Sequence, residues 1–90
     1  MVAEGLDVFR TPVPDELKGR SLRSAAVRER TGCSIVAAEV DGVMTVNPDP
    51  DRPLPTTPDA ELIVIGSTEA ERRYLKEFFA GERRRKVRKQ

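Results

Sequence analysis

Between Ser34 and Gly66 the hydrophobic positions fall into three runs. Ile35-Val36-Ala37-Ala38-Glu39-Val40 is followed by an Asp41-Gly42 pair, then Val43-Met44-Thr45-Val46, a proline- and aspartate-rich stretch, and Leu62-Ile63-Val64-Ile65. A two-residue Asp-Gly link favours the type I′ turn, whose twist suits two antiparallel strands. The predicted hairpin register sets Val40 against Val43, Glu39 against Met44, Ala38 against Thr45, Ala37 against Val46, Val36 against Asn47 and Ile35 against Pro48. Strict alternation then gives one face Val36, Ala38, Val40, Val43 and Thr45, and the other Ile35, Ala37, Met44, Val46 and Pro48. Neither face is polar, so cover is expected on both. The unbroken run Leu62–Ile65 suits a central strand. A chain of 90 residues has too few helices to cover two faces, and the second cover is expected to be another copy of the chain or a neighbouring domain.

Helical spacing appears on either side of these runs. Thr68 and Glu71 have the spacing of a capping box, Ala70, Tyr74, Leu75, Phe78 and Phe79 then share a stripe, and Gly81 offers a stop. An earlier helix is predicted after Ser21, with Leu22, Ala25 and Ala26 inward and Gly32 at its end. Leu6 to Val13 reads as a strand, and Pro12 and Pro14 favour an edge position or a strand end. The expected fold is α+β, a β-α-β-β-β-α unit with an antiparallel hairpin, helices packed on the sheet, and dimerisation. Residues 1–5 read as an N-terminal extension, 6–80 as the folded domain and 81–90 as a basic, disordered tail.

Charge is unevenly distributed. The formal net charge is +1, but six basic residues lie between Arg83 and Lys89, leaving ten basic against fifteen acidic groups in the rest. The body is therefore a poor match for nucleic acid. The tail reads as a solvated end, with contact to anionic lipid or nucleic acid as its alternative. A single cysteine, Cys33, allows no internal disulfide, and no apolar segment approaches the roughly 20 residues of a membrane span. A cytoplasmic location is expected. A domain this small buries only about 60% of its unfolded surface, so association would add stability.

Catalytic chemistry has little to draw on. The chain has no histidine, which removes the usual general base and the usual metal ligand. Cys33 follows Gly32 at a helix-to-strand turn and reads as a small buried apolar residue. The glycines form neither a dinucleotide fingerprint nor a phosphate-binding loop. Asp49 and Asp51, in a loop with five prolines between Asn47 and Pro58, read as turn formers ahead of ligands for a hard cation. No enzyme, no metal site and no resident cofactor are expected.

The motifs taken in order carry a resemblance. Leu17-Lys18-Gly19-Arg20-Ser21-Leu22, Arg28-Glu29-Arg30-Thr31-Gly32-Cys33-Ser34-Ile35-Val36-Ala37, Asp41-Gly42, Asn47-Pro48-Asp49-Pro50-Asp51 and Asp59-Ala60-Glu61-Leu62-Ile63-Val64-Ile65-Gly66 resemble the TrkA C-terminal family. These domains are the C-terminal lobes of regulators of potassium conductance, and the likeness, which covers about residues 6–80, is nearest to the tails of prokaryotic channel subunits. It implies a homodimer attached to a potassium channel or transporter membrane subunit at the cytosolic face. The dinucleotide-binding lobe that usually precedes such a domain is not in this sequence, so no nicotinamide site is transferred.

Some members of that family bind a small effector, notably cyclic di-AMP, in a cleft between two copies. The positions resembling the cleft are Arg28, Ser34, Ile35, Asn47 and Pro48, with Ser34 standing where nucleotide-binding relatives tend to have asparagine. Ile35 and Pro48 would form an apolar platform for a purine, and Arg28 would meet a phosphate. The expected function is a regulatory ligand-sensing domain that couples a small-molecule effector, cyclic di-AMP or a cation, to gating. The alternatives are a ligand-free assembly module, and a small nucleic-acid- or lipid-binding protein acting through its tail.

Overall fold

The computed structural model describes residues 5–89, with side chains as far as residue 80. A strand β1 (Leu6–Pro12) leads through a 3-10 turn (Asp15–Leu17) to two short helices, α1 (Leu22–Ala25) and α2 (Val27–Thr31). The hairpin β2 (Ser34–Val40) and β3 (Val43–Val46) follows, then β4 (Glu61–Ser67) and the long helix α3 (Thr68–Lys89). The four strands form one antiparallel sheet in the order β1-β4-β2-β3, so the apolar run in β4 is central and β1 lies at an edge, as the sequence predicts.

The hairpin register is the predicted one from Val40↔Val43 to Ala37↔Val46. Asp41 and Gly42 both take positive φ, 52° and 78°, the requirement of a type I′ turn. Asn47 ends β3 with φ 53°, and its N–H donates to the Val36 carbonyl at 2.8 Å. Strict alternation fails one step further along β2. Ile35 pairs with Val64 and Ala37 with Ile63, which leaves Val36 as an extra residue in a β-bulge. Ile35 therefore joins Ala38 and Val40 on the helix-covered face, while Val36 and Ala37 both face the other side. Strict alternation places Ile35 with Ala37 and Val36 with Ala38 instead.

The predicted helix between Ser21 and Gly32 is broken in two. Ser21 caps α1 by accepting from the Ser24 N–H at 3.1 Å, but Ala26 turns left-handed at φ 51°. The reason lies in burial. Ala25 and Val27 are both core residues, and two positions two apart on a continuous helix point roughly 200° away from one another. The break at Ala26 lets both point inward. α2 then ends at Gly32 as expected, with Thr31 donating to the Val27 carbonyl and accepting from the Cys33 N–H.

α3 starts at Thr68, one residue earlier than the capping box implies. Ser67 is the cap, its hydroxyl accepting from the Ala70 N–H at 3.0 Å, and Thr68 donates instead to Asp7. Ala70, Tyr74, Phe78 and Phe79 are buried against the sheet as the stripe predicts. The helix continues through Gly81 to Lys89, where a stop and a disordered tail are expected from the sequence. One glycine costs a helix interior about 1 kcal/mol, and the Glu, Arg and Lys residues after it are good helix formers. The tail's expected contacts with lipid or nucleic acid rest on side chains outside the described residues, as does most of the N-terminal extension.

Packing is concentrated on the covered face, where Leu17, Thr31, Cys33, Leu62, Val64 and Tyr74 are fully buried. Phe9, Tyr74 and Phe78 meet edge to face, with ring centroids 5.6 and 5.0 Å apart. Gly66 lets Cys33 and α3 pack closely on β4, since a Cβ there would lie 2.8 Å from Cys33 Sγ and 3.2 Å from Ala70 Cβ. The expected cover on both faces is present on one. On the other, Leu6, Val8, Met44 and Val46 are exposed around an ion-pair cluster in which Arg10 Nη1 meets Glu39 at 2.6 Å and Glu61 at 2.7 Å.

Candidate functional site

The loop from Asn47 to Ala60 positions one wall of the site. It is strapped to the chain ahead of α1 by Gly19 N–H to the Leu54 carbonyl at 3.0 Å and Leu54 N–H to the Arg20 carbonyl at 2.8 Å. Arg23 N–H adds a bond to the Pro50 carbonyl at 3.0 Å, and buried Leu54 pins the middle of the loop to the core. Asp49 shapes the turn, its carboxylate accepting from the Asp51 N–H at 2.9 Å, which is the turn-forming role expected of it.

The opposite wall is held by the helices. Arg30 donates to Glu77 at 2.6 Å, pairs with Glu16 at 2.8 Å and lies over the Phe78 ring, tying α2 to both the 3-10 turn and α3. Between these walls lies a shallow hollow of about 390 Å³. Leu22, Val27, Ile35 and Pro50 make it apolar, and Arg23, Arg28, Glu29 and Ser34 bring polar groups to it. Arg23 is engaged by Asp51 through two contacts, Nε–Oδ1 at 2.7 Å and Nη2–Oδ2 at 3.3 Å. The guanidinium holds the Asp51 carboxyl below the usual carboxylate range. Among the described residues seven ion-pair contacts are formed, and Arg28 takes part in none of them. Cys33 lies beneath, and burial pushes its thiol up, away from the reactive thiolate.

Three of the five residues named from the sequence therefore meet: Arg28, Ser34 and Ile35 line this one hollow. The other two do not join them. Asn47 borders a hollow of about 510 Å³ on the open face, beside Val36 and Val46, and Pro48 borders a third of about 230 Å³ beside Leu54. β3 ends at Val46, so no strand pairing carries Pro48 opposite Ile35. Sequence reasoning missed Leu22, Arg23 and Pro50. Their signal was the fixed spacing of Ser21-Leu22-Arg23 and Pro50-Asp51, which only the loop straps convert into proximity. Among the described residues no three His, Cys, Asp or Glu side chains converge as a metal site would require, and no helix is long and apolar enough to cross a membrane.

Comparison with solved structures gives this geometry a family. The crystal structure of the GsuK RCK domain matches with a TM-score of 0.76 and 36% identity over 88% of the chain. This chain belongs to the TrkA C-terminal family, the C-terminal lobes of RCK domains. It spans 17% of that GsuK chain, and a further GsuK channel structure, 34% identical, is bound to NAD. The RCK C domain of the potassium transport protein KtrA, in complex with cyclic di-AMP, shares the fold at a TM-score of 0.72 and 21% identity, over 84% of this chain and 87% of that one. The RCK_C domain dimer of S. agalactiae BusR, also in complex with cyclic di-AMP, is 26% identical over 84% of this chain and 93% of that one, with a TM-score of 0.67. BusR has in addition been solved with its promoter DNA. No family model and no curated protein matches the sequence. The RCK C-terminal fold is thus shared by proteins of potassium transport and by one protein solved on DNA.

Proposed function

We propose that this RCK C-terminal domain is a regulatory ligand-sensing lobe of a potassium channel or transporter. Two copies of it face each other across the hollow at Arg28, Ser34 and Ile35, and an anionic nucleotide effector seated between them couples to gating. The observation that carries this reading is the meeting of Arg28, Ser34 and Ile35 in one apolar-walled hollow, with the Arg28 guanidinium unpaired among the described residues. Leu22, Ile35 and Pro50 offer apolar walls to a purine. Arg28 offers charge to a phosphate, and Ser34 a hydroxyl to base or sugar. A shallow hollow encloses a ligand only when a second copy closes it, which makes occupancy and dimer geometry one equilibrium. A ligand that prefers one subunit orientation by about 1–3 kcal/mol is enough to bias a gate.

In this reading the domain works at the cytosolic face of the membrane subunit and breaks no bond. Its body carries excess negative charge, which argues against direct DNA contact by residues 6–80 even though BusR has been solved in complex with its promoter DNA. Asn47 and Pro48 line other hollows, and the proposal gives them no ligand contact within the same copy.

A thermal-shift and calorimetric panel of cyclic di-AMP, NAD, Ca²⁺ and Na⁺, run beside sedimentation, tests the proposal. Cyclic di-AMP at 100 times its dissociation constant should add about 2.7 kcal/mol of stability, and Arg28→Ala should abolish most of that gain. A flat panel from a chain that stays monomeric would defeat it. The second reading is a ligand-free assembly module, favoured by the exposed apolar face of Leu6, Val8, Met44 and Val46. A dimer with no ligand response, lost on Val46→Asp, would select it.

A further inference from the structure

Arg23 and Arg28 lie on successive short helices and both border the hollow, yet their side chains are in different states. Arg28 has no ion pair among the described residues, whereas Arg23 is held by Asp51 in a two-contact fork at 2.7 and 3.3 Å. Asp51 immediately follows Pro50, which forms part of the hollow's wall. Both partners are about two-thirds exposed, 68% and 67%, so the pair adds little to folding stability and is cheap to exchange. The loop does not need it. Arg23 N–H to the Pro50 carbonyl, the Leu54 straps and the Asp49 turn all use groups other than the Asp51 carboxylate, so the backbone stays in place while the two side chains part. The other ion pairs of α1 and α2 do structural work: Arg30, for instance, joins three elements.

We infer that Asp51 is a built-in competitor for the anion site. Its carboxylate occupies the guanidinium of Arg23, and a phosphodiester seated on Arg28 recruits Arg23 as a second cation by displacing Asp51. Arg23 is then a specificity residue, because two guanidiniums on adjacent helices favour a ligand with two anionic groups, or one bridging anion, over a neutral nucleoside. Asp51 sets the threshold concentration at which that happens. This inference rests on the ligand-sensing reading above.

Calorimetric titration of the full chain with cyclic di-AMP, and with adenosine as the neutral control, tests it in a four-variant cycle. Asp51→Asn is expected to tighten cyclic di-AMP about two- to fivefold, and Arg23→Ala to weaken it about tenfold. In the Arg23→Ala background Asp51→Asn should have no effect, since the competition runs through Arg23 alone. Adenosine affinity should not respond to Asp51→Asn. Should Asp51→Asn fail to fold, the wild-type protein still decides: the Arg23 Nε–H and Asp51 carboxyl NMR signals should both move on addition of cyclic di-AMP, and static signals would overturn the inference. Wild-type binding that Asp51→Asn leaves unchanged or weakens would overturn the inference and spare the ligand-sensing reading. No cyclic di-AMP binding by the wild type would overturn the inference, and the ligand-sensing reading falls with it only when the whole panel is flat and the chain stays monomeric.

Discussion

On one face of the sheet Phe9, Leu62 and Val64 lie under α3 and the aromatic cluster around Tyr74. On the other, Val8 and Val46 stand 64% and 67% exposed. The strands themselves offer similar apolar side chains to both faces, so strand chemistry does not decide which face becomes the core. The helices decide it. Ser67 caps α3 at the end of β4, and Gly66 leaves room for Cys33 and for Ala70 of that helix, on the side to which Leu62 and Val64 already point. The buried packing lies on the covered face, whereas the open face keeps apolar side chains exposed. Paired substitutions on the two faces test this contrast.

The largest difference should come from Leu62→Ala set against Val8→Ala. Leu62 is fully buried in the central strand, and its truncation should cost about 2–5 kcal/mol, enough to unfold much of a marginal 90-residue domain. Val8→Ala on the opposite face should stay within about 0.5 kcal/mol in the isolated chain. Urea unfolding of the two variants measures both, and equal losses would mean that the open face is covered in solution by a second copy. Next in size is Gly66→Ala, which places a methyl 2.8 Å from Cys33 Sγ and 3.2 Å from Ala70 Cβ. Overpacking of this kind costs about 1–3 kcal/mol, and Cys33→Ala in the same chain should return part of it.

How much of this was legible in the sequence follows the range of the interactions. The hairpin, its turn, the central strand and the inward stripe of α3 depend on neighbours a few residues apart, and the pattern of residues encodes them directly. The bulge at Val36 is different. Nothing local marks it, because it answers to the registry between β2 and β4, residues nearly thirty positions apart. That bulge turned Ile35 to the helix-covered side, where it meets Arg28 and Ser34 and parts from Asn47, while Pro48 is lost because β3 ends at Val46. The break at Ala26 has the same origin, a demand that Ala25 and Val27 be buried together. The Leu54 straps that bring Pro50 to Arg23 also join distant segments. Residues brought to the hollow by a single helix-to-strand turn were therefore readable as neighbours, and those brought by the loop were not.

Tyr74→Phe gives a smaller effect with a pH signature. The hydroxyl is fully buried near Thr11 and has no hydrogen-bond partner among the described residues, Thr11 donating its own proton to the Pro12 carbonyl. Removing it should change stability by less than about 1 kcal/mol at neutral pH. Burial pushes the phenol's pKa well above its ordinary value. A group whose folded pKa is raised contributes stability that is complete below its unfolded pKa, about 10, and is lost as pH rises beyond it. Wild-type stability should therefore fall relative to Tyr74→Phe above about pH 10, a divergence that chemical unfolding at successive pH values would reveal.

Arg10→Met on the open face should have the smallest effect, and it is the one most responsive to salt. The Arg10 guanidinium reaches Glu39 and Glu61, which lie opposite each other on β2 and β4. Such exposed pairs contribute little on their own, but removing the cation leaves two carboxylates facing one another across the strands. At low ionic strength the variant should unfold at a slightly lower urea concentration than the wild type. In about 1 M NaCl, where screening acts over about 3 Å, the two curves should converge. A gap that persists in high salt would show that this cluster is shielded from solvent. It would then sit inside an interface, and the open face would have to be counted with the covered one.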